Sequence, residues 1–452
     1  MVKARVYKSP PGPKGHWLLG SLPEFRKDML AFFRKVAADF GDIASYRLGP
    51  RRLILISDPA LVEKMLVTDH KKYIKPYVQR LLRPIVGNGL FTSDGEFWSR
   101  QRRLVQPSFN RQHMESYAGI MALHTQRLLE GWRDGEEKDL HAEMMRLTLG
   151  TVSEAMLNVD AGSYSKQVAR FIDVFVDYFE RRLIGSASLP YIFPTPENLK
   201  MRRAVRGLEF ILDEMISSRR KDPIGTDLLS VLMRARDESD STGMTDRQLR
   251  DEALTVFLAG HETTTNALSW TWYLLASHPD VEEKLLSELR EVLNGRSPTL
   301  ADIPMLKYTE QVLLESMRLF PPIYALGRET VETVELGGYE IPPQTTVIAS
   351  QWVMHYDSRY FDDPTRFNPD RFSRQSAKEI PKYAYFPFGG GPRYCVGKTF
   401  GMVEAALAVA TLAPLYRFEL NKDKPVYPRA SVMLRPATGV HCTLRARKTR
   451  VP

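Results

Sequence analysis

The chain has 452 residues, of which 43% are hydrophobic, and its 63 Lys and Arg against 54 Asp and Glu give a formal charge of +9. This composition is that of a globular protein with a sizeable core, while two cysteines, Cys395 and Cys442, exclude a disulfide scaffold and fit the reducing cytoplasm. The longest apolar runs fall short of the roughly 18 to 20 residues that a membrane span needs, so we expect a cytoplasmic protein without a membrane anchor.

The excess positive charge is spread along the chain in short clusters. Examples are Arg102–Arg103, Arg181–Arg182, Arg202–Arg203 and the run that begins at Arg219. Such clusters can attract an acidic protein, an anionic lipid surface or a nucleic acid, although most of this charge is expected to be solvated surface. Because no groove-reading helix or stacking platform is recognisable, we expect no nucleic-acid partner.

The predicted elements, in chain order, describe a helical body with a small sheet. A stiff Pro-rich segment, SPPGPKG, comes first, and residues 28–250 read mostly as amphipathic helices separated by short Gly/Pro breaks. A strand is expected near Leu53, and a hairpin around Gly337–Gly338 is followed by another short strand. The predicted fold class is therefore mainly α with small β-sheets.

The longest predicted helix carries a local conflict at its centre. It begins at Thr245, where Gln248 completes a capping-box signature, and it ends before Pro279. At 1.5 Å per residue such a helix is roughly 50 Å long, enough to cross the whole body. Its middle reads AGHETTT, in which Gly260 costs about 1 kcal/mol and the threonine hydroxyls compete for backbone carbonyls. Conflicts of this kind commonly mark a functional site.

A glycine-rich stretch, FPFGGGPRYCVG, places Cys395 two residues after Arg393 and just before a second apolar helix. Helix amides, the helix dipole and the arginine all favour an anion there, so we expect a thiolate. An inert buried cysteine is the alternative. A phosphate loop would need a Lys-Ser/Thr ending, and zinc would need further ligands at the right spacing. A lone thiolate suits haem iron, whose other ligands come from a macrocycle.

The same stretch resembles the haem-binding signature of the cytochrome P-450 family. The match is position for position at Phe388, Gly391, Arg393, Cys395 and Gly397. The resemblance covers nearly the whole chain, from the Pro-rich segment to a final hairpin near its end.

That resemblance implies the cytochrome P-450 fold, with haem b (iron protoporphyrin IX) between the long central helix and the cysteine loop, and Cys395 as the iron ligand. It also implies a single catalytic domain over residues 1–452. A small β-rich lobe would be formed by about residues 40–60 and 328–350.

Site roles follow from the resemblance. Glu262 and Thr263 match the acid and the alcohol of the family's oxygen-activation motif, which delivers protons in a site kept dry. Phe388 would pack beside the sulfur, and backbone amides up to Gly397 would point at it. Four residues would converge on the haem propionates, namely Trp98, Arg102, Arg328 and Arg393.

The family also has a buried charge triad, which Glu315, Arg318 and Arg371 resemble. Taken alone, Glu315 and Arg318 are a helical ion pair worth about 0.3 to 0.5 kcal/mol. A buried triad must instead be fully paired, so we assign these residues a structural role. Two positions depart from the family pattern in turns, with Gln344 in place of a glycine and Tyr356 in place of an arginine.

The implied function is that of a haem-thiolate monooxygenase. It would hydroxylate a hydrophobic substrate, such as a fatty acid, a terpenoid or a steroid-like molecule, with O2 and two electrons from a separate ferredoxin- or flavodoxin-type donor and its reductase. A basic rim of Arg100, Arg103 and Lys398 would face the donor. The alternatives are a peroxide-driven peroxygenase and a family isomerase or dehydratase, against which the intact Glu262 and Thr263 argue.

Family topology also suggests an apolar substrate pocket, which fits a hydrophobic ligand. Its candidate lining residues are Leu82, Ile85, Val86, Leu90, Phe257, Ala259, Tyr324, Ala325, Leu326, Val432 and Met433. The alternative is that several of these residues only pack in the hydrophobic core and do not contact a substrate. Loops in the region 160–200 are expected to control access to the pocket.

Overall fold

The computed structural model describes residues 9–157, 171, 174–175, 177–179, 181–182, 190–221 and 225–447. Within these ranges helices predominate and the strands are short, which confirms the predicted fold class. No helix within the same ranges combines the length and the apolar composition that crossing a bilayer requires.

The α-helices form the body of the protein. They are α1 (Leu22–Lys27), α2 (Met29–Phe40), α3 (Pro59–Glu63), α4 (Tyr77–Arg80), α5 (Arg83–Val86), α6 (Gly95–Val105), α7 (Arg111–Glu130), α8 (Leu140–Leu157), α9 (Pro196–Lys221), α10 (Leu228–Arg234), α11 (Asp246–Ser277), α12 (Pro279–Leu293), α13 (Lys307–Leu319), α14 (Gln351–Met354) and α15 (Lys398–Leu412). Short 3-10 or π segments include Lys64–Thr68, Gln106–Phe109, Leu300–Met305, Pro369–Phe372 and Gly391–Arg393.

The strands form four small sheets. They are β1 (Ile43–Leu48), β2 (Arg51–Ile56), β3 (Tyr73–Ile74), β4 (Glu137–Asp139), β5 (Leu326–Thr330), β6 (Val334–Leu336), β7 (Tyr339–Ile341), β8 (Thr346–Ala349), β9 (Tyr416–Leu420), β10 (Pro428–Ala430), β11 (Leu434–Pro436) and β12 (His441–Ala446). The largest sheet has the order β1-β2-β8-β5-β3, in which β2 and β8 are parallel and the other pairs antiparallel. The predicted strand near Leu53, the hairpin β6–β7, strand β8 and the final hairpin β10–β11 are confirmed.

Helix α11 is the long central helix, and its predicted bounds are confirmed. It has 32 residues, and its capping box is complete: the Gln248 amide donates to Thr245 Oγ1 at 3.3 Å and the Thr245 amide donates to Gln248 Oε1 at 2.8 Å. Helices α8, α9, α13 and α15 pack against it. Most of its side chains are buried, but Ala259 near its middle is exposed.

The predicted charge triad is also confirmed. Arg318 and Glu315 on α13 are fully buried, and the Arg318 guanidinium donates to both Glu315 oxygens at 2.7 and 2.8 Å. Arg371 Nε donates to Glu315 Oε1 at 3.3 Å. Further N–H groups of Arg318 donate to the carbonyls of His355 and Pro364. Every charge of the triad is therefore paired, as burial requires.

The triad reaches the cysteine loop through His355. Burial lowers the pKa of His355 to about 3, so the imidazole is neutral. Its Nδ1 lies 3.3 Å from the Arg318 carbonyl, and its Nε2 accepts from the Phe386 amide at 3.3 Å. Because one ring nitrogen donates and the other accepts, His355 connects α13 to the start of the loop that carries Cys395.

Both departures from the family pattern lie in turns. Gln344 adopts φ +62°, the left-handed region that favours glycine. Tyr356 donates its hydroxyl to the Leu319 carbonyl at 2.8 Å, and the Arg34 guanidinium lies 4.1 Å from its ring centroid. The tyrosine thus closes the end of α13, while Gln344 carries a local conformational cost.

Candidate active site

Cys395 lies on a tight loop just before α15, as predicted. Its amide donates to the Phe388 carbonyl at 3.0 Å, which closes the loop. Gly391 has φ +63°, and a Cβ there would lie 1.9 Å from the Leu66 carbonyl oxygen, so only glycine fits. The loop is therefore held both by its own hydrogen bond and by close packing against the segment Lys64–Thr68.

The electrostatics of the sulfur differ from the prediction. Desolvation raises the pKa of Cys395, and the amide of Gly397, the charge of Arg102 and the amide and charge of Lys398 oppose this rise without cancelling it. The predicted thiolate is therefore wrong for the free side chain. Arg393, which we expected beside the sulfur, is directed to Asp94 instead.

Cys395 nevertheless has an exposed surface. The sulfur is therefore accessible to a ligand although the surrounding protein desolvates it. The middle of α11 is also accessible, because Ala259 is exposed and Thr263 is half-buried on a helix whose other side chains are mostly buried. Helix α15 packs on α11 at this level, where a Cβ on Gly401 would lie 3.4 Å from Thr264 Oγ1. The helix that follows the cysteine loop thus contacts α11 at the residue next to Thr263.

The predicted acid and alcohol occupy adjacent positions on that stretch of α11. Thr263 Oγ1 donates to the Ala259 carbonyl at 2.7 Å, and Glu262 is 8% exposed. The hydroxyl satisfies a helix carbonyl and leaves its oxygen lone pairs available as acceptors. The local competition for carbonyls that the sequence indicated is therefore present.

Trp98 and Arg102 lie on one face of α6, as predicted, and both contact the cysteine loop. The guanidinium of Arg393 lies 4.3 Å from the Trp98 ring centroid, and Arg102 Nη1 donates to the Tyr394 carbonyl at 2.9 Å. Arg393 Nη2 donates to Asp94 Oδ1 at 2.8 Å. Helix α6 and the cysteine loop are thus joined at three points.

A second group of cations lies next to Arg393. Arg328 in β5 is 7% exposed and Lys75 is 9% exposed. Burial, followed by the charge of Arg393, lowers the pKa of Arg328 to about 10, and burial with both arginines lowers the pKa of Lys75 well below its usual value. Asp94 is the carboxylate that opposes these shifts. The buried Arg328 and the half-buried Arg393 have Asp94 as their shared acid, which leaves a surplus of positive charge suited to an anionic group.

These observations fit a haem. The sulfur of Cys395 would be the ligand to the haem iron, and a metal cation would deprotonate it despite its raised pKa. The surplus positive charge around Arg328 and Arg393 matches two propionates. The sequence did not reveal Lys75 or Asp94. The signal for Asp94 was its place directly before α6, where its carboxylate makes no cap and accepts instead from Arg393, Arg83 and the Lys75 amide.

A buried acid on α15 was also missed. Glu404 is 1% exposed, and burial raises its pKa to about 8, while the nearby hydroxyls of Thr151 and Thr264 partly oppose the shift. The signal was a single charged residue in the apolar run FGMVEAALAVATLAPL. A neutral carboxylic acid therefore lies between the cysteine helix and the central helix, next to the position of Thr263.

The candidate pocket residues do not all come together. One core cluster contains Leu82, Ile85, Val86, Leu90 and Phe257. The other candidates lie outside this cluster: Tyr324, Ala325, Leu326, Val432 and Met433. Of these, Tyr324 and Ala325 pack in a different core cluster. Tyr324 also donates its hydroxyl to the Ser431 carbonyl at 2.6 Å. Most of the expected access loops of residues 160–200 lie outside the described residues.

The basic rim that we predicted as a docking surface for an electron donor is partly neutralised by acidic residues. Arg103 pairs with Asp237 at 2.9 Å, and Arg100 lies 3.7 Å from Asp240. Lys398 is exposed at the start of α15. Beside the cysteine loop lies a cleft of about 580 Å3, lined by Arg102, Arg103, Gln106, Pro107, Phe109, Asn110, Arg236, Asp237, Glu238, Val396 and Thr399. Acids of the segment 237–240 thus offset much of the positive charge.

Glu404 gives a pH prediction. The folded chain holds a proton at pH values between about 4.5 and 8 that the unfolded chain releases, because burial raises the pKa of Glu404 from 4.5 to about 8. The free energy of unfolding should therefore fall as pH rises through this window. Replacing the acid by the neutral Glu404→Gln should remove a decline of about 4 kcal/mol between pH 4.5 and 8.5.

The measurement is urea unfolding at several pH values from 4.5 to 8.5, followed by circular dichroism. Glu332→Gln, at an exposed position, is the matched control and should follow the wild type. Parallel curves for the wild type and Glu404→Gln would show that Glu404 is already ionised in the folded protein.

Comparison with known proteins covers nearly the whole chain. A family model for cytochrome P-450 matches residues 10–443. Cyclooctatin synthase of Streptomyces melanosporofaciens is 36% identical over 433 residues, which cover 95% of this chain and 94% of the relative. Cyclooctat-9-en-7-ol 5-monooxygenase of the same organism is 34% identical over 405 residues, covering 88% and 87%. Pentalenene oxygenase of Streptomyces avermitilis is 31% identical over 417 residues, covering 91% and 92%.

Proposed function

The chain belongs to the cytochrome P-450 family and is a P-450 monooxygenase, and we propose that it hydroxylates a terpenoid at a haem b held by Cys395. Members of the family use haem, O2 and electrons from a redox partner. The observation that carries the ligand assignment is the position of Cys395, an exposed thiol on the loop just before α15, the helix that packs against the middle of α11. We also propose that residues 1–452 form one catalytic domain.

Six residues would hold the haem around this sulfur. They are Trp98, Arg102, Arg328, Phe388, Arg393 and Gly397. The arginines supply the positive charge that two propionates require, and the Gly397 amide stabilises negative charge on the sulfur. Asp94 keeps Arg393 in place through the 2.8 Å contact. Lys75 lies on the same side, where an anionic group would favour its charged form against the burial that lowers its pKa.

Bound haem would supply the reduction and activation of O2. Proton delivery would fall to Thr263 and Glu262. With its own proton held by the Ala259 carbonyl at 2.7 Å, Thr263 Oγ1 is able to accept a hydrogen bond from a water that carries a proton into the cavity. Glu262, at the neighbouring position, would resupply that proton. Glu404, held neutral, adds no negative charge to this region.

Among the three hydrophobic substrate classes, a terpenoid is favoured by the relatives. Two of their names refer to cyclooctat-9-en-7-ol and to pentalenene. The apolar cluster of Leu82, Ile85, Val86, Leu90 and Phe257 suits a ligand with little charge. A peroxide-driven reaction, an isomerase and a dehydratase gain no support from the site, because the acid and alcohol of α11 are both in place.

The ligand assignment predicts a spectroscopic result. The reduced wild-type protein exposed to carbon monoxide should show the strongly red-shifted Soret band of a thiolate-ligated haem, and Cys395→Ser should lose it. Cys442→Ser is the matched control, because Cys442 is buried in β12, away from the cysteine loop, and should leave the band unchanged. The pyridine complex of the extracted haem identifies haem b.

A band typical of a histidine ligand, or one that survives in Cys395→Ser, would contradict the assignment. With the wild-type holoenzyme, terpene alcohols and fatty acids of matched carbon number are then titrated, and the Soret shift is followed. A terpenoid substrate predicts tighter binding of the alcohols.

The proton-delivery roles predict uncoupling. Thr263→Ala should lower the product formed per electron consumed several-fold and raise hydrogen peroxide release, because the cavity loses its hydroxyl. Thr271→Ala is the control, since its hydroxyl makes the same type of helix bond, 2.7 Å to the Ala267 carbonyl, elsewhere on α11. Equal coupling in the two variants would remove Thr263 from the mechanism.

We propose that the electron donor, of ferredoxin or flavodoxin type, docks at the cleft beside Val396 and Thr399. Arg236 is an exposed cation of this cleft. Its reversal in Arg236→Glu should slow reduction by a ferredoxin several-fold at low salt and have little effect at high salt. Stopped-flow reduction measures this, with Arg52→Glu in the exposed part of β2 as the charge-matched control. Equal rates for both variants would place the donor elsewhere.

A further inference from the structure

Two adjacent acids near the start of α11 accept hydrogen bonds from the loop that precedes α6. This loop, residues 87–90, is called the glycine loop here and reads GNGL. The Asn88 amide donates to Asp251 Oδ2 at 2.8 Å, and the Leu90 amide donates to Glu252 Oε2 at 3.0 Å. Backbone donors of a buried loop require partners, and here side chains of another element supply them. The conformation of the loop therefore depends on α11.

Glu252 also binds a third element. Gln101 on α6 is fully buried, and its Nε2 donates to Glu252 Oε1 at 3.1 Å. Gln101 lies between Trp98 and Arg102, the two residues of α6 that contact the cysteine loop. With one oxygen on the glycine loop and the other on α6, Glu252 fixes the distance between the loop, α6 and α11.

The glycine loop is pressed against α11 closely enough to need its glycines. Gly87 has φ +73°, and a Cβ there would lie 2.1 Å from Asp251 Oδ1. A Cβ on Gly89 would lie 2.3 Å from Thr255 Oγ1. A side chain at position 87 or 89 would therefore clash with α11. The two glycines allow the backbone of the glycine loop to lie directly against α11 beside Asp251 and Glu252.

The chemistry of Glu252 allows the contact to persist in either protonation state. Glu252 is fully buried, and burial raises its pKa to about 7 against the opposing Leu90 and Gln101 hydrogen bonds. Among the described residues, Gln101 Oε1 has no hydrogen-bond partner. A rotated Gln101 amide would therefore present an acceptor to a protonated Glu252, while the present orientation presents a donor to the carboxylate.

The position of the glycine loop matters for the pocket. It continues directly from α5, and Leu90 shares one buried cluster with Ile85, Val86 and Phe257. We infer that Asp251 and Glu252 are positioning residues that hold the glycine loop in the conformation that shapes the substrate pocket, so that their loss weakens binding of bulky hydrophobic ligands. This inference rests on the proposed function, in which these apolar residues line that pocket.

The test compares two heme-binding probes of different size on the holoenzyme. Imidazole is small, whereas 4-phenylimidazole places a ring in the pocket, and both give a Soret shift from which a Kd is obtained. In Glu252→Ala, which lacks both acceptors, the Kd of 4-phenylimidazole should rise at least about tenfold while that of imidazole changes less than about twofold. Glu252→Gln retains an acceptor for Leu90 and pairs with a rotated Gln101, so it should restore wild-type binding to within about twofold.

Asp251→Ala removes the single bond to Asn88 and should raise the Kd of 4-phenylimidazole about threefold, which provides a milder variant if Glu252→Ala folds poorly. Thr255→Val is the matched control: it lies in the same contact, its hydroxyl has no hydrogen-bond partner among the described residues, and its binding should stay as in the wild type. Hydrogen exchange of a peptide covering residues 82–94 should accelerate in both alanine variants and stay slow in Glu252→Gln and Thr255→Val.

Unchanged ratios of the two Kd values in both alanine variants would overturn the inference, as would unchanged exchange of that peptide. A loss in Glu252→Gln as large as in Glu252→Ala would also overturn it, because hydrogen bonding would then not be the cause. Failure of the proposed haem site gives a different result: imidazole would then produce no Soret shift even in the wild type, while the exchange data would still report the state of the loop.

Discussion

The need to pair one buried positive charge organises this structure. The side chain of Arg318 is fully enclosed, and its guanidinium finds partners in Glu315 and in backbone carbonyls that come from the segment after α14. An unpaired guanidinium in this position would cost several kcal/mol, so these segments are held together as a unit. The neutral ring of His355 extends the unit to the Phe386 amide. The start of the cysteine loop is therefore fixed to α13 through His355, in addition to the loop's own hydrogen bond and glycine packing.

Local signals in the sequence predicted much of this fold, whereas contacts between residues far apart in the chain could not be predicted from it. The capping box of Thr245 and Gln248 marked the start of α11, because that hydrogen bonding involves residues three apart. The position of Cys395 before a helix was equally local. The partner of Arg393, however, is Asp94, almost three hundred residues earlier, and no periodicity indicates such a contact. The thiolate prediction failed for a related reason: helix amides are a local property, but desolvation depends on everything that packs around the sulfur.

The ionisable groups on the two sides of the cysteine loop are biased toward positive charge. On one side, Arg328 and Lys75 are buried next to Arg393 with Asp94 as the shared acid. On another, burial raises the pKa of Glu404 to about 8 and favours the neutral acid. Both effects leave the interior short of negative charge, which is the electrostatic state that favours an anionic group. The sequence motifs indicated Arg328 and Arg393. The neutral state of Glu404 depends on its burial, which only the structure shows.

The raised pKa of Cys395 has a consequence for the maturation of the protein. Oxidation and disulfide exchange proceed through thiolates, so a newly folded chain that keeps this sulfur protonated resists both reactions before its cofactor arrives. On the proposed ligand role, iron binding must expel that proton, and cofactor loading becomes coupled to proton release. A single proton thus serves as a removable protecting group, which stays on the sulfur during synthesis and leaves when the metal takes its place.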